Sequence, residues 1–99
     1  MIVSFRHKGL EALFTEGQTK GVQQTHVKKL KQILAILNAA SDIEDIKSIK
    51  SLGYHTLLGT RKGDHSVWVN KNWRVTFKFI DADVHLTNYE DYHDKKIRR

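Results

Sequence analysis

A chain of 99 residues has room for one packed core and not for two. Hydrophobic residues at 39% and charged residues at 28% strike the balance of a globular domain, not a disordered one. Cysteine is absent, which excludes a disulfide framework and thiolate-held zinc or iron–sulfur centres and suits a reducing compartment. The longest apolar run, Ile33-Leu34-Ala35-Ile36-Leu37, falls far short of the ~20 residues a membrane helix needs. The opening Met1-Ile2-Val3-Ser4-Phe5-Arg6 holds no apolar stretch long enough for a signal peptide. The expected location is the cytoplasm, with no membrane partner.

Lysine and arginine number 17 against 11 acidic residues, a formal charge of +6. The last six residues, 94–99, carry +3 of this, so the body 1–93 is only mildly basic. A short basic tail beside such a body attracts nucleic acid without sequence preference and in a salt-dependent way. The alternative is a solvated, frayed terminus.

In chain order, Ile2, Val3 and Phe5 predict a short strand. Leu10, Leu13 and Phe14 then follow the spacing of one helical face, stopped by Gly17. A stronger helix begins near Thr25, with Val27, Leu30, Ile33, Leu34 and Leu37 as its apolar stripe. Ser41 and Glu44 have the spacing of a capping box and predict a short third helix carrying Ile43, Ile46 and Ile49. From Tyr54 the hydrophobic period becomes two. Val67 and Val69 alternate with Ser66, Trp68 and Asn70; Trp73, Val75, Phe77 and Phe79 alternate with polar neighbours, as do Val84 and Leu86. Asn70-Lys71-Asn72 and Ile80-Asp81-Ala82-Asp83 read as hairpin turns. The expected fold is α+β: N-terminal helices packed on one face of a curved, mainly antiparallel sheet, the other face left open.

Alternation decides which side chains reach that open face. If Trp73, Val75, Phe77 and Phe79 pack under the helices, then Arg74, Thr76 and Lys78 point the other way. A guanidinium there either grips phosphate through two parallel hydrogen bonds or pairs with a neighbouring carboxylate on a solvated face. Tyr89-Glu90-Asp91-Tyr92-His93 packs two tyrosines, two carboxylates and an imidazole into one strand end. Such a cluster offers stacking surface and proton-transfer groups together, or is simply a polar strand end. His55 is placed to join it across the sheet, or is structural. Asp81, Asp83 and His85 alternate as metal ligands would, but they fall at a turn, where aspartate is expected for conformational reasons, and no metal site is predicted. Gly59 and Gly63 read as turn residues, not as a phosphate-binding loop.

The opening Met1-Ile2-Val3-Ser4-Phe5-Arg6-His7-Lys8-Gly9-Leu10, the stretch Asn72-Trp73-Arg74-Val75-Thr76-Phe77 and the closing Asn88-Tyr89-Glu90-Asp91-Tyr92-His93 resemble the HigB toxins of the RelE-like superfamily. The resemblance runs from residue 1 to 93 and implies one RelE-like toxin domain over 1–93, followed by a flexible basic tail over 94–99. It implies a small endoribonuclease of a type II toxin–antitoxin system that cuts messenger RNA on the translating 70S ribosome. The implied partner is an adjacent-gene antitoxin of HigA type with a helix-turn-helix domain, through which alone the pair would meet operator DNA.

RNA carries its own nucleophile, the 2′-hydroxyl, so the implied chemistry needs no metal, cofactor or covalent residue. The protein must orient the nucleotide, stabilise the phosphorane-like transition state and move protons. Carried over position by position, the resemblance implies that Arg74 stabilises phosphate and Tyr92 stacks on or orients a base. Asp91, His93 and His55 become the acid–base or positioning candidates. Asn72 would fix the turn presenting Arg74 and lie against the RNA, with Arg61, Lys62, Lys78, Lys95 and Lys96 as further RNA-binding candidates. One departure stands out. The family pattern places a lysine near Leu58, so either Arg61 or Lys62 substitutes for it or the site works with less positive charge. The alternative reading is a non-catalytic module that binds RNA, the ribosome or a partner protein with the same residues.

Overall fold

The computed structural model describes residues 1–91. Helix α1 spans Lys8–Glu16, α2 Val27–Ala39 and α3 Glu44–Lys47; strands β1 His55–Thr56, β2 His65–Trp68, β3 Trp73–Ile80 and β4 Asp83–Asp91 follow. Helices come first and the sheet second, as the change of period predicts.

Local chemistry sets the boundaries. The His7 imidazole caps α1, its Nδ1 accepting from the Leu10 N–H at 3.0 Å. Gly17 ends the helix at φ 70°, and the N–H groups that follow return to the Leu13 and Ala12 carbonyls. A single 3₁₀ turn, Gln24–His26, leads into α2. The start of α3 differs from the expected capping box. Asp45 Oδ2 accepts from the Ser41 and Asp42 N–H groups, and Asp42 Oδ1 from the Glu44 N–H, so two aspartates replace the Ser41–Glu44 pair. These carboxylates satisfy the orphan donors at the start of the helix that a capping box would have met.

The sheet is a meander in the order β1-β2-β3-β4, antiparallel throughout. Residues 2–5, expected as a strand, run parallel to β4 through bridges of Ile2 to Val84 and Phe5 to Thr87. The β3–β4 turn is tight: Ile80 pairs with Asp83, while Asp81 and Ala82 take φ of 52° and 68°, the left-handed pair that matches strand twist.

Leu30, Ile33, Leu34 and Leu37 of α2 join Leu10 and Leu13 of α1 in one core with Val67, Val75, Phe77 and Val84. Between α1 and the following loop, Gly9 and Gly21 meet backbone to backbone. A Cβ on Gly9 would lie 2.3 Å from the Gly21 carbonyl oxygen.

The expected alternation of Val84 and Leu86 breaks in the middle of β4. Thr76 pairs with Asn88 but Lys78 pairs with His85, so β4 carries one extra residue there. Leu86 absorbs it at φ 54°, and its N–H donates to Ser4 Oγ at 2.8 Å. Beyond the bulge the phase is inverted, so Thr87 and Tyr89 face the core and Asn88 and Glu90 the other side. Tyr89, expected as stacking surface, is instead a core residue at 5% exposure.

Candidate active site

The helix-free face of the sheet is built by register. Cross-strand partners share a face, so one row runs His55, Ser66, Thr76, Asn88 and the next runs Trp68, Arg74, Glu90. With Val75 and Phe77 fully buried beneath the helices, Arg74, Thr76 and Lys78 stand on this open face, as alternation predicts. His55 joins them. Asp91 pairs with Trp73 at the strand's end, so its register position falls on Trp73's face and not in the row of Arg74 and Glu90. Tyr92, His93, Lys95 and Lys96 lie outside the described residues.

Arg74 is held by the turn before it. Its Nη1 donates to the carbonyls of Asn70 at 2.9 Å, Lys71 at 3.0 Å and Trp73 at 3.3 Å. The guanidinium carbon also sits 5.1 Å from the centre of the Trp68 ring, within cation–π range. The turn is organised by the amide of Asn70, whose Oδ1 accepts from the Asn72 and Trp73 N–H groups, each at 2.9 Å. Asn72 thus contributes its backbone to the turn, and Asn70 supplies the side chain that fixes it. Trp68, 42% exposed beside Arg74, is an aromatic surface on this face that the alternation placed there without marking it as functional.

Two more of the expected RNA-binding cations sit inside a carboxylate network. Arg61 forms a two-pronged pair with Glu90, Nη1 to Oε1 at 2.9 Å and Nη2 to Oε2 at 2.8 Å. Its Nε reaches Asp64 Oδ2 at 3.2 Å, and Lys78 Nζ lies 2.5 Å from Asp64 Oδ1. The Thr76 hydroxyl donates to Glu90 Oε2 from beneath. Burial alone would raise the Asp64 carboxyl, but the Lys78 and Arg61 bonds outweigh it and hold it below the ordinary carboxylate range. Glu90, with a side chain only 8% exposed, anchors the open face. Sequence reading saw it only as one polar residue among five, because its partner stands 29 residues away. Arg61 is therefore committed to the frame of the site; Lys62 next to it is exposed, and Leu58 is 55% exposed. Among the described residues, no three histidine or carboxylate side chains converge as a metal ion would require.

Helices on one side of an antiparallel meander is a fold this chain shares with solved structures of YafQ. A YafQ mutant from E. coli superposes with a TM-score of 0.59 at 17% identity, over 92% of this chain and 91% of that one. YafQ in the E. coli DinJ–YafQ toxin–antitoxin complex gives 0.51 at 14% identity, over 96% and 94%. At these identities the likeness defines the fold. Sequence comparison goes further. The profile of the HigB family, described as RelE-like toxins of type II toxin–antitoxin systems, matches residues 3–93. Endoribonuclease HigB of Proteus vulgaris is 44% identical over 94 residues, covering 94% of this chain and all of that protein. Toxin HigB-1 of Vibrio cholerae serotype O1 is 30% identical over 94 residues, covering 94% of this chain and 98% of that one. The chain belongs to the HigB family of RelE-like toxins.

Proposed function

We propose that this chain is an endoribonuclease toxin that cuts messenger RNA on the translating ribosome, with residues 1–93 as the toxin domain and 94–99 as a basic tail. The observation that carries the reading is Arg74: an arginine on the uncovered face of the sheet, oriented by three carbonyls and flanked by an exposed tryptophan. Membership of the HigB family and the name of the Proteus vulgaris relative support the activity.

The chemistry needs little beyond placement. The 2′-hydroxyl of one nucleotide attacks the adjacent phosphorus while the bond to the 5′-oxygen of the next breaks. A base takes the hydroxyl proton and an acid returns one to the leaving oxygen, yielding a cyclic phosphate and a 5′-hydroxyl. Arg74 stabilises the charge that builds on the phosphoryl oxygens in between. His55 on the open face, with Asp91 and His93, supplies the candidates for proton transfer, and Tyr92 with Trp68 offers surfaces on which a splayed base can stack. RNA brings its own nucleophile, so the reaction runs without a metal or cofactor. Lys62, Lys78, Lys95 and Lys96, with Asn72, add contacts to the RNA backbone, and Arg61 contributes by holding Glu90.

The partner in this reading is a helix-turn-helix antitoxin of HigA type, through which the pair meets operator DNA. The setting is the cytoplasm; no helix among the described residues is long and apolar enough to cross a membrane. The second reading is a module that binds ribosome or RNA without cutting, favoured by Leu58 standing where the resemblance implies a lysine nearby.

Mapping messenger RNA 5′ ends in a reconstituted translation system separates the two. Cuts that appear on ribosomes but not on naked RNA, and that vanish with Arg74→Ala and His93→Ala, are the expected result. Ribosome binding by the wild type without any cut would leave the binding module as the function.

A further inference from the structure

Behind the Arg74 turn lies a polar chain that the proposed chemistry does not use. His26, 7% exposed at the entry to α2, has both ring nitrogens engaged: Nδ1 with Tyr89 Oη at 2.6 Å and Nε2 with Asn70 Nδ2 at 2.8 Å. The protons can be assigned. Asn70 Oδ1 already accepts from the Asn72 and Trp73 N–H groups, so its Nδ2 must donate, and His26 Nε2 must accept. Nδ1 then carries the proton and donates it to Tyr89 Oη, which also accepts from the Gln23 N–H at 3.3 Å. Aromatic packing braces the ring, with Trp73 at 5.6 Å and Tyr89 at 6.0 Å, both edge-on. A histidine paired at both nitrogens in the core would ordinarily be structural and no more. Here the chain ends on one residue, Asn70, whose amide closes the turn and whose backbone carbonyl accepts from Arg74.

We propose that His26 and Asn70 are positioning residues that tie the β2–β3 turn to the helix layer and so fix where the Arg74 guanidinium stands on the open face. Asn70 works in three directions at once: Oδ1 sets the turn, Nδ2 fastens it to His26, and the carbonyl holds Arg74. Cutting the Nδ2 bond frees the turn to shift relative to the sheet, and the guanidinium moves with it. Displacement by about 1 Å is enough to cost a factor of 10² in a reaction that depends on placement. The inference rests on Arg74 acting in cleavage.

The test is single-turnover cleavage of ribosome-bound messenger RNA by wild type, Asn70→Ala, His26→Phe, Arg74→Ala and the Arg74→Ala/Asn70→Ala double variant, with thermal unfolding run on each. Asn70 is solvent-exposed, so its variant reports even if the buried His26→Phe fails to fold. For Asn70→Ala the rate at saturating toxin should fall about 10- to 100-fold, while the half-saturating concentration moves less than about threefold. Folded His26→Phe should match it. The double variant should be no slower than Arg74→Ala alone, because the tether acts through the arginine. Wild-type rates in Asn70→Ala, or losses that multiply in the double variant, overturn the tether while leaving the active-site reading in place. A wild-type rate in Arg74→Ala removes both.

Discussion

Arg61→Met removes the two-pronged guanidinium bond to Glu90, and its cost can be worked from the structure. Hydrogen bonds to charged groups contribute about 1.5–3 kcal/mol, and breaking a fully buried ion pair costs about 3–5 kcal/mol. An exposed pair is worth at most about 1 kcal/mol. Glu90 is 8% exposed but Arg61 is 36% exposed, which places this pair between those limits, at about 2 kcal/mol after allowing for solvent screening. In a domain of this size each kcal/mol lowers the unfolding midpoint by about 4–8 °C, so Arg61→Met should melt about 8–16 °C below wild type. Circular dichroism melts of Arg61→Met, Glu90→Gln and the double variant form a cycle, and the coupling energy should be about 1–2 kcal/mol. The Thr76 hydroxyl still donates to Glu90 in Arg61→Met, which keeps the loss from reaching the fully buried limit. Were Arg61 chiefly an RNA contact, its variant would melt like wild type and lose ribosome affinity in low salt instead. That pattern, with no coupling to Glu90, would refute the assignment.

The Ala82→Gly substitution should raise stability by about 0.5–1 kcal/mol, since Ala82 sits at φ 68° in a two-residue turn that glycine adopts without strain; an unchanged or lower melting point counts against this. Gly9→Ala in α1 should do the opposite of the usual helix substitution, lowering stability by about 1–3 kcal/mol because the new Cβ meets the Gly21 carbonyl at 2.3 Å, and a rise in melting temperature would show that the loop yields. Burial pushes His7, His26 and His65 below their ordinary value of 6.5. The unfolded chain therefore takes up protons first as pH falls, and the stability these groups contribute is present above pH 6.5 and lost on acidification through their folded values. Melting points should drop between about pH 7.5 and pH 5.5, and a flat profile across that range would contradict the burial argument.

Where period alone decides structure, the sequence was readable. The Val27–Leu37 stripe, Gly17 as a stop and the alternation through β3 each depend on neighbours within a few residues. Arg74 on the open face followed directly from that alternation. What escaped were features set by partners distant in the chain. Asp42 and Asp45 took the capping role expected of Ser41 and Glu44 because both patterns fit the same five residues, 41–45, and only geometry chooses between them. Glu90, Asp64 and Thr76 form the frame of the site, yet each is an ordinary polar residue until the sheet brings Arg61 and Lys78 against them. Asn70 was legible as a turn residue, but its bond to His26 spans 44 positions and has no local signature.

The bulge at Leu86 shows how one such feature governs both sides of the sheet. Leucine disfavours positive φ, so nothing in its own preference announces the conformation it takes. The compensation comes from the start of the chain: Ser4 Oγ accepts the Leu86 N–H at 2.8 Å, the Ser4 carbonyl accepts from Thr87 at 3.0 Å, and the Arg6 N–H donates to Thr87 at 2.8 Å. With the extra residue in place, Tyr89 turns into the core to meet His26, and Glu90 turns outward to meet Arg61. Without it, parity would exchange them, placing the carboxylate opposite Trp73 on the core side and the tyrosine opposite Arg74 on the open face. The N-terminal segment thus does more than cover an edge of β4. By holding the bulge it sets the phase on which both the Arg61–Glu90 frame and the His26–Asn70 chain depend.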